Sequence, residues 1–187
     1  MLECNCLPPS KLGTLTYWDE SYEPEIVNLV DMGDEGEVWF AYDKDVLLII
    51  QQSSPQQYQV GCGNGQLLFL LAQGGYPLEL LAVIEYSASS IKLASQIVHS
   101  KGLDSLRLEQ KDILMDQIPR PAHADDNNKL GWDLIMDKGT FDAISLSEAT
   151  VDSQGLFEHY REKVMDLLVK VIEKRKSNER IMLGELS

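Results

Sequence analysis

Three glycines at alternate positions, Gly61, Gly63 and Gly65, follow the short stretch Tyr58-Gln59-Val60 and precede an apolar run from Leu67 to Ala72. The pattern reads as strand, tight turn, buried helix. Glycine tolerates positive φ and, without a Cβ, lets the backbone lie against a ligand. The next acid that ends an apolar strand is Glu85, in Leu80-Leu81-Ala82-Val83-Ile84-Glu85. It lies about twenty residues past the last glycine, the spacing of an acid that accepts hydrogen bonds from ribose hydroxyls. The pattern points to a nucleoside site. An ordinary glycine-rich turn between strand and helix is the plainer alternative.

The glycine spacing separates the ligands. A dinucleotide fingerprint, G-x-G-x-x-G, puts its third glycine at position 66. That position is Gln66, and the third glycine is Gly65. G-x-G-x-G is the loop expected for S-adenosylmethionine, which has no pyrophosphate to cradle.

Around this centre, strands and helices alternate. A strand is expected over residues 78–86. Ser87, Ser89 and Ser90 are possible N-caps of the helix that follows, with Ile91, Ala94, Ile97 and Val98 on one face and Gly102 to cap its end. Residues 106–111 and 132–136 read as strands, ending at Asp112 and Asp137, and residues 157–175 as a long helix with Tyr160, Val164, Leu167, Leu168 and Val171 inward. Residues 180–186 fit a last strand. Residues 45–52 are apolar, and periodicity does not decide between helix and strand. The alternation indicates an α/β fold with a mainly parallel sheet. Upstream, Trp18 and Tyr22 share a face of an expected helix at i and i+4. They serve either simple packing or a lid over a ligand.

The 187 residues suit one domain, here 12–187, behind a flexible tail at 1–11. Hydrophobic residues make up 44% and charged residues 25%, enough for a packed core, and the net charge is −14. That charge repels nucleic acid and anionic membranes and favours a basic protein partner. No stretch is apolar enough to span a bilayer, and no basic-then-apolar N-terminus marks a signal peptide. Three cysteines, Cys4, Cys6 and Cys62, make no disulfide framework. A monomeric, cytoplasmic protein is the expectation. No metal site is expected: Cys4-x-Cys6 lacks completing ligands, and His99, His123 and His159 read as surface residues.

Further segments carry a family resemblance. Leu12-Gly13-Thr14, Tyr17-Trp18-Asp19, Tyr22, the stretch from Gly33-Asp34 to Phe40, Gly61 to Gly65, Glu85-Tyr86-Ser87 and Asp137-Lys138-Gly139-Thr140-Phe141-Asp142-Ala143-Ile144 occur in that order. The chain resembles the seven-strand S-adenosylmethionine-dependent methyltransferases, above all the group that methylates a lysine of eukaryotic translation elongation factor 1-alpha. The resemblance covers most of residues 12–146. It implies a Rossmann-like, mostly parallel sheet with helices on both faces. It also implies a protein-lysine N-methyltransferase with S-adenosyl-L-methionine as cofactor and elongation factor 1-alpha as basic partner. By that resemblance the cofactor would be held by Trp18, by Gly61, Cys62, Gly63, Asn64 and Gly65, by Glu85 and Tyr86, by Asp112 and Ile113, and by Asp137. Asp137 and Lys138 would stand at the catalytic edge.

Two departures accompany the resemblance. The family brings an acid two residues before the first glycine, where this chain has Gln59. The family also continues through a final antiparallel pair of strands, so the sheet is expected to lack its last strands. A catalytically weak or inactive methyltransferase-like protein, binding only cofactor or partner, is therefore the alternative reading.

Overall fold

A computed structural model describes residues 10–38, 57–121, 131–147, 150–151 and 154–175. The apolar stretch at 45–52 and the last strand expected at 180–186 lie outside the described residues, as does the end of the stretch from Gly33 to Phe40.

Among the described residues four parallel strands form the sheet: β1 (Gln57–Val60), β2 (Leu81–Glu85), β3 (Arg107–Gln110) and β4 (Leu134–Asp137), in the order β3-β2-β1-β4. The chain steps outward from β1 through β2 to β3, then returns to the other side of β1 for β4. Ligands bind at such a switch point, beyond the carboxyl ends of the strands. A two-residue antiparallel pair, β5 (Thr150–Val151) and β6 (Gln154–Gly155), stands apart.

The helices among the described residues are α1 (Leu15–Met32), α2 (Gln66–Gln73), α3 (Ala88–Ser100), α4 (Thr140–Ser145) and α5 (Leu156–Arg175). Strand pleating sends Leu81 and Val83 to one face, where α2 and α3 pack with Tyr22 of α1. Ala82 and Ile84 face the other way, against Tyr160 and Leu167 of α5, Ile113 and Trp132. Both faces of the sheet are thus covered, as a parallel sheet requires.

The structure shifts several expected boundaries. The second strand begins at Leu81, because Leu78–Leu80 is a 3₁₀ turn entered from Pro77. The fourth begins at Leu134 and includes Asp137. Lys11, expected in the tail, belongs to a 3₁₀ turn, Lys11–Gly13, whose cap residue Ser10 donates its backbone N–H to Leu146 O at 3.0 Å. Helix α1 runs past Pro24 to Met32 and ends at Gly33, whose φ of 72° is the left-handed stop of a helix. Ser87 alone of the three serines caps α3, its Oγ accepting from Ser90 N at 3.1 Å.

β1 is unusual for a central strand. Tyr58 and Val60 belong to the α5-side core, whereas Gln57 and Gln59 are fully buried on the opposite face. Gln57 pairs in register with Leu81 and Leu134, and Gln59 with Val83 and Met136. Two primary amides therefore stand in an otherwise apolar row.

Candidate functional site

The carboxyl ends of the strands open into one cavity of about 370 Å³. That volume lies within the roughly 300–1,000 Å³ of small-molecule sites. β1 contributes Val60 and the loop residues Gly61 and Gly63, β2 contributes Ile84 and Glu85 with Tyr86 after it, and β3 leads into Asp112 and Ile113. Lys138 and Thr140 come from the turn after β4, and Gly13, Thr14, Trp18 and Tyr22 from the N-terminal segment.

The glycine loop turns with φ of 75° at Gly61, 55° at Gly63 and 84° at Gly65. A Cβ on Gly63 would stand 2.7 Å from Lys138 Nζ and 3.0 Å from Tyr22 Oη, and one on Gly61 would collide with Thr140 Oγ1. Only bare backbone fits there. The loop is braced from both sides. Gly63 N donates to Glu85 Oε2 at 3.0 Å, and Gly63 O accepts from Ser90 Oγ at 2.8 Å. Glu85 Oε1 also accepts from Tyr86 N at 2.7 Å and Ser87 N at 3.2 Å. Three backbone donors thus hold this carboxylate at the cavity edge. A carboxylate has about four lone-pair sites, so it keeps capacity for a ligand hydroxyl.

Asp112 is anchored through Oδ1, which accepts from Leu114 N at 2.8 Å, and its own N–H donates to Asp116 Oδ2 at 2.8 Å. Ile113 beside it is buried. On the opposite wall, the Trp18 indole N–H donates to Leu12 O at 2.8 Å, and its ring stacks on Tyr22 with centroids 6.4 Å apart. Asp19 ties this helix down, accepting from Ser87 Oγ at 2.6 Å and Ser89 N at 3.3 Å. Burial, with Glu85 nearby, pushes the Tyr22 phenol far above its ordinary range, so it is neutral at any working pH.

Four expected site residues stand elsewhere. Cys62 is fully buried in the core, and burial raises its thiol well above the usual value. The Asn64 amide reaches away from the cavity, donating to Glu35 O at 3.1 Å, while its Oδ1 accepts from Gln66 N at 3.3 Å. Gly65 caps α2. Asp137 turns its carboxylate from the cavity to the start of α4, accepting from Thr140 N at 2.8 Å, Phe141 N at 3.0 Å and the Tyr160 hydroxyl. Its position at a strand end does not aim it at a ligand, because unsatisfied helix N–H groups attract a carboxylate as strongly. Conversely, Gly13, Thr14 and Thr140 line the cavity although the sequence did not single them out as binding residues, and Tyr22, expected beside Trp18 in either packing or a lid, lines it too. Each lies within a segment of the family resemblance, which was their available signal.

Gln59 occupies the position of the family's acid. Its Nε2 donates to Gly61 O at 3.3 Å, and its Oε1 has no hydrogen-bond partner among the described residues. The loop's support comes instead from Glu85. Among the described residues no group of three His, Cys, Asp or Glu is arranged to hold a metal, and no helix is long and apolar enough to cross a membrane.

A family model described as a methyltransferase domain matches residues 58–184. The chain belongs to this methyltransferase family. It is 36% identical over 182 residues to the protein-lysine N-methyltransferase efm4 of Schizosaccharomyces pombe, an alignment covering 87% of this chain and 73% of that one. With EEF1A lysine methyltransferase 2 of Danio rerio it shares 34% identity over 159 residues, covering 81% of this chain and 62% of the relative. With protein-lysine N-methyltransferase EFM4 of Saccharomyces cerevisiae it shares 32% over 190 residues, covering 95% and 76%. The methyltransferase chain therefore spans between about three fifths and three quarters of these relatives' length.

Proposed function

We propose that the cavity binds S-adenosyl-L-methionine and that the chain is a protein-lysine N-methyltransferase acting on translation elongation factor 1-alpha in the cytoplasm. One observation carries the reading: the glycine loop, the Glu85 carboxylate and the Asp112 carboxylate converge on a single cavity. The donor set suits this cofactor. The floor at Gly63 leaves no room for a side chain, and the acids face a ligand rich in hydroxyl and amino donors. Gly61 and Gly63 would underlie the methionine portion, Glu85 would hold the ribose beside Tyr86, and Asp112 and Ile113 would meet the adenine. Bound there, the cofactor supplies an activated methyl group on a sulfonium. Trp18 and Tyr22 would exclude water and enclose the reacting groups. A free lysine, with pKa near 10.4, is protonated and not nucleophilic. Desolvation in such a channel favours the neutral amine. Asp137 would act as a positioning residue, fixing the start of α4 beside the loop.

A second reading follows from Gln59, whose amide stands fully buried in place of an acid. By that reading the chain binds cofactor or partner and transfers methyl groups poorly. Calorimetry with S-adenosylmethionine, paired with mass spectrometry of elongation factor 1-alpha, separates the two. Binding with a mass gain at lysine supports the enzyme; binding without gain supports the weak form. A folded chain that gives no binding heat contradicts the cofactor assignment itself.

A further inference from the structure

Lys138 has a setting that its place in the turn does not explain. Its backbone N–H donates to Val60 O at 3.0 Å, which locks the start of the side chain against β1. From there the side chain runs over the glycine loop. Its ammonium meets Cys62 O at 3.4 Å, a long bond, and stands where any side chain on Gly63 would have to be. Among the described residues no carboxylate forms an ion pair with it. Glu85, the carboxylate bound to the same loop through Gly63 N, makes no contact with the ammonium, although its charge and that of Glu25 favour the charged form through space. Lys111, the other lysine on the cavity, does have a partner in Glu109 at 3.8 Å. The cavity therefore presents unlike groups. Acids at Glu85 and Asp112 would accept from hydroxyl and amino groups, and the Lys138 cation, with no carboxylate in contact among the described residues, stands at the glycine-loop end, where Glu85 and Glu25 act on it only through space.

A charge withdrawn from water is costly unless paired. A ligand that brings an anion to this end removes the cost. Of the cofactor's groups, only the carboxylate of its amino-acid end is anionic. We propose that Lys138 is the ion-pair partner of that carboxylate, a cofactor-binding residue that sets ligand orientation and not a base for the substrate. The inference rests on the reading of the cavity as an S-adenosylmethionine site. It also explains how an ammonium tolerates a sulfonium nearby: the carboxylate screens the two like charges.

The test compares two ligands that differ by one group, S-adenosylmethionine and its decarboxylated form, by calorimetry on the whole chain. The wild type is expected to bind the carboxylate form at least tenfold more tightly. Lys138→Met should abolish that preference, binding the decarboxylated ligand as well as the wild type or better, since a repulsive cation is gone. Lys138→Arg should retain part of the preference. A wild type that binds both ligands equally overturns the proposal without any variant, and so does a folded Lys138→Met protein that keeps the preference. Failure to bind either ligand defeats the cofactor reading first and this inference with it.

Discussion

Glu85 braces the glycine loop and, on the proposed reading, also holds the ribose, and its substitution should show both. It holds the glycine loop through Gly63 N and faces the cavity where the ribose would lie. A hydrogen bond to a charged group contributes about 1.5–3 kcal/mol. Glu85→Ala is therefore expected to weaken S-adenosylmethionine at least tenfold in calorimetry and to lower the melting temperature. An unchanged dissociation constant would remove the ribose assignment. Lys138 adds a pH signature. Burial lowers its pKa from the ordinary lysine value, while Cys62, Glu85 and Glu25 draw it back up. A ligand carboxylate would raise it further, so the bound state holds more protons between the free and bound pKa values. Affinity must then fall as pH rises through that window. Lys138→Met, titrated alongside, supplies the baseline for the ligand's own amine, and identical pH profiles would contradict the pairing. At this scale the sequence was partly legible. Strand period and glycine spacing found Glu85, but nothing in the sequence distinguishes an acid turned to a ligand from one turned to a helix start, as Asp137 is.

At the scale of elements, β1 is where local chemistry and fold disagree. Its neighbours in the sheet present Leu81, Val83, Leu134 and Met136, and it answers with Gln57 and Gln59. Among the described residues Gln57 Nε2 has only the Met136 Sδ as acceptor, a weak one, and Gln57 Oε1 has no partner. An unsatisfied buried polar atom costs about 1–3 kcal/mol, whereas an apolar group of similar shape is neutral or better. Gln57→Leu is expected to raise the melting temperature by about 2–4 °C per kcal/mol recovered. A drop of several degrees in a thermal melt would mean that the amide is satisfied in solution. Gln59→Leu is the poorer choice, since it would orphan the Gly61 carbonyl that Nε2 now reaches. The helices were more legible than this strand. Apolar spacing and Ser87 located α3, and the i, i+4 spacing of Trp18 and Tyr22 located α1. The start of β2 was missed because the apolar run from Leu78 continues into it, although Pro77 admits a 3₁₀ turn first.

For the whole molecule, charge becomes the relevant quantity. The chain carries −14 at neutral pH, while its cavity presents a cation at Lys138. Surface and site should therefore answer salt differently. Exposed charges steer a basic partner over distances that ions screen beyond about 8–10 Å at physiological strength. Groups enclosed in a cavity are screened much less. Capture of elongation factor 1-alpha, followed by stopped flow, is expected to slow steeply as salt rises from low to physiological strength. The dissociation constant for S-adenosylmethionine should change little over the same range. An association rate indifferent to salt would mean that partner recognition depends on local shape and not on the acidic surface. A cofactor affinity that fell in step with the capture rate would instead locate the ligand's charged end in open water, away from Lys138.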